Sequence, residues 1–315
     1  MNNKILSYVL TGVVILCFFA GCDKKDDSPK TSSKTKLFGV TFQTMNNPFF
    51  VDLNEGIKKV IESHGDSLVT LDAQWNSLKQ RNDISDLILQ DVSGIFINPV
   101  NWEGIKGSLL QAKDKNIPCI VVDAPAKDME LVLCQVASDN VEAGRLAARA
   151  LAKVCRPAKV VILHLSVNKA CIDRVTGFKE ELAKYPDMEI METQEGKGTT
   201  EGSRPVMRDL LGRFPSLNAV FPINDPSALG AISALESAGK LNNVTVVTVD
   251  GSAEGIAAIK ARKLLSTSAQ FPKEIGRIAA EKMYEHLGGK SVEKDVKVRV
   301  ELITKENVDS FLKKE

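Results

Sequence analysis

From Lys36 onward, short apolar runs alternate with longer stretches in which apolar residues recur every three or four positions. Leu37 to Phe42, Leu68 to Leu71, Gly94 to Ile97 and Ile117 to Val122 read as strands, and Phe49 to Ser63, Leu78 to Gln90 and Ile105 to Lys115 as helices between them. Strands that are apolar along their length, without alternation, are buried on both faces, which predicts a parallel sheet with helices on each side. A second series has the same rhythm. Its helices run over Ala143 to Val154, Ile172 to Tyr185, Gly202 to Arg213 and Leu229 to Ala238, and its strands over Lys159 to Leu165, Glu189 to Glu192, Ala219 to Ile223 and Val244 to Val249. The expected fold is α/β, with two doubly wound parallel-sheet lobes.

An internal echo supports two related halves. In the first, one strand ends in Asn98 and the next in Asp123; in the second, the corresponding ends are Asn224 and Asp250. The pairs are 25 and 26 residues apart. Ligands bind beyond the carboxyl ends of strands in open α/β sheets. If the two carboxyl edges face each other, these four side chains converge on one cleft.

The first residues follow a different pattern. Lys4 precedes an apolar stretch from Val9 to Phe19 and then Ala20-Gly21-Cys22, the order of a secretory leader with a small-residue cleavage site. The apolar stretch is shorter than the roughly 20 residues a membrane-spanning helix needs, so residues 1–21 are expected to be removed. Cys22 directly after the small pair resembles the lipobox of bacterial lipoproteins, although Phe19 stands where an aliphatic residue is usual. That resemblance implies lipidation of Cys22, an extracytoplasmic location and attachment to the bilayer. Residues 22–35 are charged and hydroxylic with nothing to bury, and read as a flexible tether.

Composition excludes some partners. With 41 basic and 40 acidic residues interspersed, there is no electrostatic footprint for nucleic acid. Of six cysteines, Cys17 lies in the leader and Cys22 at the lipobox; Cys119, Cys134, Cys155 and Cys171 lack Cys-x-x-Cys spacing. Cys119 and Cys134 each precede a polar strand end by four residues, so they are candidates for neighbouring strands. Buried free thiols are the favoured state and a disulfide the alternative, because cross-strand disulfides strain the geometry. His64, His164 and His286 are dispersed. No nucleophile–base pairing and no metal spacing is visible, so the reading assigns no catalytic residue, metal or cofactor.

Eight motifs occur in order: Thr44-Met45-Asn46-Asn47-Pro48-Phe49-Phe50, Ile97-Asn98-Pro99, Val122-Asp123, Ala137-Ser138-Asp139-Asn140, Asp173-Arg174 with Gly177-Phe178, Ile223-Asn224-Asp225, Val249-Asp250-Gly251, and Ala269-Gln270 with Pro272. Together they resemble the ribose-type periplasmic sugar-binding proteins, the type I solute-binding proteins of ABC importers. The resemblance implies two lobes joined by a three-crossing hinge, divided as 36–137 with 271–293 and 138–270 with 294–315. It implies a monomer that closes on a monosaccharide or similar polyhydroxylated ligand and delivers it to an importer permease, or alternatively to a chemoreceptor or sensor kinase.

Carried over by position, Asn47, Phe49, Phe50, Asn98, Asp123 and Ser138 would contact the ligand from the first lobe and hinge, and Arg174, Asn224, Asp250 and Gln270 from the second. The chemistry suits a sugar. Carboxylates accept hydroxyl protons, the Arg174 fork donates, amides do both, and a phenylalanine pair covers a C–H face. Asp123 and Asp250 could instead cap the segments that follow. Asp139 and Asn140 are expected to cap the helix after them.

Three positions depart from the family pattern. Ala124 replaces an arginine that commonly follows the first-lobe aspartate, Gly198 replaces an aromatic, and Gln43 replaces a small hydroxyl residue. Ribose itself is therefore doubtful, and an inositol, nucleoside or furanosyl signal is an alternative ligand. Trp75 and Trp102, both expected on the cleft side of the first lobe, are candidates to replace the missing aromatic. Two further classes fit less well. LacI-type repressor cores share the expected fold but need an amino-terminal helix-turn-helix, and a sugar hydrolase needs paired acid and base carboxylates at the scissile bond.

Overall fold

The structure, a computed structural model, describes residues 35–313. The leader, Cys22 and nearly all of the tether lie outside the described residues. Two six-stranded sheets form the framework.

The first lobe begins β1 (Leu37–Phe42), α1 (Pro48–Ser63), β2 (Ser67–Asp72), α2 (Ser77–Leu89), β3 (Ile95–Ile97), α3 (Lys106–Asp114), β4 (Cys119–Val122) and β5 (Cys134–Ser138). The chain then enters the second lobe through α4 (Asn140–Val154), β6 (Ala158–His164), α5 (Lys169–Leu182), β7 (Met188–Glu195), α6 (Thr200–Arg213), β8 (Ala219–Pro222), α7 (Asp225–Ser237), β9 (Thr245–Asp250), α8 (Ala253–Lys260) and β10 (Ser266–Ala269). It returns for α9 (Pro272–Leu287) and β11 (Asp295–Val298), and crosses once more to β12 (Glu301–Thr304) and α10 (Val308–Phe311). The sheet orders are β11-β5-β4-β3-β1-β2 and β12-β10-β9-β8-β6-β7. Only β12 runs antiparallel to its neighbour.

The chain thus passes between sheets three times, after β5, after β10 and after β11. The last passage corrects one boundary. Entry into the second lobe at residue 294 is too early, because β11 pairs in parallel with β5 of the first sheet, from Asp295↔Gln135 to Val298↔Ser138. Its alternating exposed and buried pattern marks an edge strand, which does not reveal which sheet's edge it completes.

The helices start where the sequence provides caps. Asn47, Asn168 and Asn224 each accept a backbone N–H of the following turn, and Pro48 and Pro226 occupy first-turn positions where no N–H is needed. In α1, Phe50, Leu53, Gly56, Ile57 and Ile61 form the buried stripe. In each lobe two helices meet at facing glycines. A Cβ on Gly56 would overlap the Lys273 carbonyl of α9, and one on Gly144 would overlap the Arg174 carbonyl of α5.

Cys119 and Cys134 lie on adjacent strands, as expected, but Cys134 is in register with Ile120. That one-residue offset turns the two thiols to opposite faces of the sheet. Cys134 packs in the cluster with Phe38 and Ile120, and Cys119 in the cluster with Ile84 and Val121. Both are buried free thiols, and burial pushes them up, to about 11 for Cys134 and about 12 for Cys119.

Candidate functional site

The carboxyl ends of the strands bring the polar groups together. Residues from both lobes line a cleft with about 410 Å³ of atom-free space, its solvent mouth included. From the first lobe come Gln43, Asn47, Phe49, Phe50, Trp75 and Asp123; from the second come Arg174, Asn224, Asp250 and the crossing residue Gln270. The lobes touch: Asn168 Nδ2 donates to Gln43 Oε1 across the cleft (3.4 Å), and the Trp102 N–H donates to the Val167 carbonyl (3.2 Å). The arrangement is closed.

Two aspartates sit at matching places, just beyond β4 and at the end of β9. Asp123 has φ 63° and Asp250 has φ 138°, backbone conformations that L-residues rarely adopt and that concentrate at functional sites. Around Asp250 the groups are knitted tightly. Arg174 Nη1 donates to Asp250 Oδ1 (3.3 Å) and to the Ile223 carbonyl (2.9 Å), while its Nε donates to Asn140 Oδ1 (2.8 Å). Gln270 Nε2 donates to the same Asp250 oxygen (2.8 Å), leaving Gln270 Oε1 without a partner. The Asp225 N–H donates to Asp250 Oδ2 (3.3 Å). Asp123 is simpler: Asn98 Nδ2 donates to its Oδ2 (3.0 Å).

Burial dominates the electrostatics. It lifts Asp123 to about 6, helped by the like charge of Asp250 and opposed by Arg174 and the Asn98 hydrogen bond. Asp225, behind Asp250, is pushed to about 7 by burial and by Asp250, against hydrogen bonds from Ser252 and Thr267. Asp250 is also raised, again chiefly by burial, with Arg174 and Gln270 pulling the other way. Paired donors and acceptors over an aromatic floor can hold hydroxyl groups in both senses.

Three sequence-predicted residues stand apart from this lining. Asn98 is fully buried behind Asp123, with Oδ1 accepting the Gln43 N–H (3.2 Å) and Nδ2 on Asp123; it orients the aspartate. Ser138 and Trp102 line a different cavity at the hinge, and Lys127 Nζ lies 5.8 Å from the Trp102 ring. Of the two tryptophans, only Trp75 reaches the cleft, 38 % exposed and with φ 60°.

The echo of Asn and Asp holds in position but not in role, because Asn224 caps α7 and donates to the Gly198 carbonyl (3.0 Å). Asp139 caps α4, whereas Asn140 holds Arg174. Leu165, Asn168, Ala170 and Cys171 also line the cleft and were not anticipated. Asn168 had a usable signal: an asparagine cap directly after the first strand of its lobe, as Asn47 is in the other.

Two lobes with a three-strand hinge and a closed polar cleft at the facing strand ends define the class of two-lobed solute-binding proteins. A family model described as periplasmic binding protein domain matches residues 38–291. The chain belongs to that family. It is 36% identical over 308 residues to the ribose import binding protein RbsB of Bacillus subtilis (strain 168), covering 96% of this chain and 99% of that protein. It is 35% identical over 308 residues to RbsB of Escherichia coli (strain K12), with 97% and 100% covered. An ABC transporter solute binding protein from Bacillus halodurans C-125 with bound myo-inositol superposes with a TM-score of 0.84 at 26% identity, covering 90% of this chain and 100% of that one. One from Agrobacterium vitis bound with alpha-D-tagatopyranose gives 0.82 at 26% identity, covering 87% and 96%.

Proposed function

We propose that this chain is an extracytoplasmic solute-binding protein that captures a monosaccharide or similar polyhydroxylated ligand by hinge closure and delivers it to an ABC importer. The observation that carries the reading is the convergence of Asp123 from one lobe with Arg174, Asp250 and Gln270 from the other, over Phe49 and Phe50, in one closed cleft. A ligand held by both halves gives closure its driving force, since an equilibrium shifts only by the difference in contacts between states.

Relatives named for ribose import and neighbours with bound myo-inositol and alpha-D-tagatopyranose support a cyclic polyol. The changes at Ala124, Gly198 and Gln43 argue against ribose itself. Gly198 lines the cleft with φ 69° and no side chain, Leu165 Cδ2 standing 3.1 Å from where its Cβ would be, and Trp75 supplies an aromatic surface from the first lobe. Cys22 is the proposed lipid attachment, the protein acts as a monomer, and the ligand leaves chemically unchanged.

A thermal-shift screen of the mature chain against pentoses, hexoses, inositols, disaccharides and nucleosides tests this. A ligand at about 100 times its Kd adds about 2.7 kcal/mol of stability. The reading expects a saturable shift with at least one of these compounds, followed by recovery of the compound intact. No shift with any, or turnover of the bound compound, would contradict it.

A further inference from the structure

The cleft is out of charge balance, and the imbalance narrows the ligand; the inference rests on the sugar-type reading above. Two buried carboxylates line the cleft, Asp123 from the first lobe and Asp250 from the second, with buried Asp225 behind Asp250, and Arg174 is the only cation among the cleft-lining residues. Asp225 accepts from the Ser252 N–H, Ser252 Oγ and Thr267 Oγ1, at 2.7, 2.7 and 2.9 Å. Asp250 has Arg174, Gln270 and the Asp225 N–H.

Asp123 has one donor, Asn98, and forms no ion pair among the described residues. The residue beside it, Ala124, is fully buried and offers no charge. Arg174 is committed to Asp250, Asn140 and Ile223. The remaining polar groups at the cleft, Gln43, Asn47, Asn168, Asn224 and Gln270, are neutral amides.

A buried carboxylate is tolerated when it is paired. Neutral hydroxyls can supply hydrogen bonds to Asp123 but not the missing positive charge. The aromatic rings of Phe49, Phe50 and Trp75 in the same cleft present faces that attract a cation. We propose that the preferred ligand is a polyhydroxylated compound carrying a protonated amine, such as an amino sugar or amino polyol, with its ammonium paired to Asp123. Anionic sugars are rejected by the same excess of acid.

Matched sets titrated calorimetrically at pH 7 test the assignment: D-glucosamine, D-glucose and D-glucuronate; D-galactosamine, D-galactose and D-galacturonate; D-mannosamine and D-mannose; serinol and glycerol. The expected result is that in at least one set the amine binds at least about 10-fold tighter than its neutral counterpart, with the acid not binding, because charge-assisted hydrogen bonds are roughly twice as strong as neutral ones. Asp123→Asn, which keeps the shape and one carbonyl acceptor, should bring the amine to the affinity of the neutral compound. The wild-type comparison stands without the variant if Asp123→Asn fails to fold. Neutral compounds binding as tightly as the amines in every set, or no amine binding at all, overturns the proposal. Neutral sugars binding alone would leave the sugar-binding reading intact, whereas silence from every compound here overturns the amine assignment and leaves the sugar-binding reading to the wider thermal-shift screen.

Discussion

Asp123 concentrates the chemistry of the cleft into one side chain, and its titration has a predictable sign. In the folded protein it keeps its proton up to about pH 6, whereas the unfolded chain releases it near its ordinary value of 3.8. Between these values the folded state binds more protons, so this residue's contribution to stability falls as pH rises and is constant only above about pH 7. Asp123→Asn cannot titrate. Its unfolding free energy relative to wild type, without ligand, should therefore grow by about 2 kcal/mol between pH 4 and pH 6 and level off above about pH 7. Urea denaturation at a series of pH values measures this, and a difference that shrinks over the interval would contradict it.

Trp75 gives a second residue-scale test. Ligand saturation should alter the fluorescence of wild-type and Trp102→Phe protein alike, because only Trp75 borders the cleft. Loss of the change in Trp102→Phe would place the reporter at the hinge cavity instead.

How far single residues were readable follows from what their roles depend on. Asp123, Asp250 and Arg174 were legible because each occupies a strand end or an early helical turn just beyond one, positions set by local pattern. Asn98 and Asn140 misled because their direction is decided by tertiary partners, Asp123 for one and Arg174 for the other. Ser138 is a hinge residue whose hydroxyl has no partner within the structure.

Among the elements, the α4–α5 crossing sets where Arg174 stands. Gly144 lies under the Arg174 carbonyl and Gly177 under that of Val141, so the helices approach without side chains between them. Gly144→Ala should force them apart, costing about 1–3 kcal/mol as overpacking and weakening ligand binding through the displaced guanidinium. Thermal unfolding and calorimetry together check both effects; unchanged stability and affinity would mean the contact is slack. Gly212, with no atom near its missing Cβ, is the matched control and should tolerate alanine.

The elements themselves were largely visible in the sequence, since buried parallel strands are apolar throughout and the helices carry asparagine caps. The edge strand β11 was not, because its identity depends on β5, 160 residues earlier at the Gln135–Asp295 hydrogen bond. The cysteine pair had the same limit: strand adjacency could be inferred, but the one-residue register that separates the thiols could not.

At the scale of the whole molecule, two sheets share three crossings and meet at their carboxyl edges, so the proposed function makes ligand capture and lobe closure one event. The lining residues come from both sides, so on the proposed function neither lobe holds the full set of contacts. Arg174 is the group that links them electrostatically, paired with Asp250 and near enough to Asp123 to oppose its rise. The most direct measurement is calorimetric titration of the compound that most raises the melting temperature, into wild type and Arg174→Ala. The account predicts one site per chain and affinity weakened about 10-fold to 100-fold in the variant, as expected for a buried hydrogen bond from a charged group. Wild-type affinity in Arg174→Ala would contradict it.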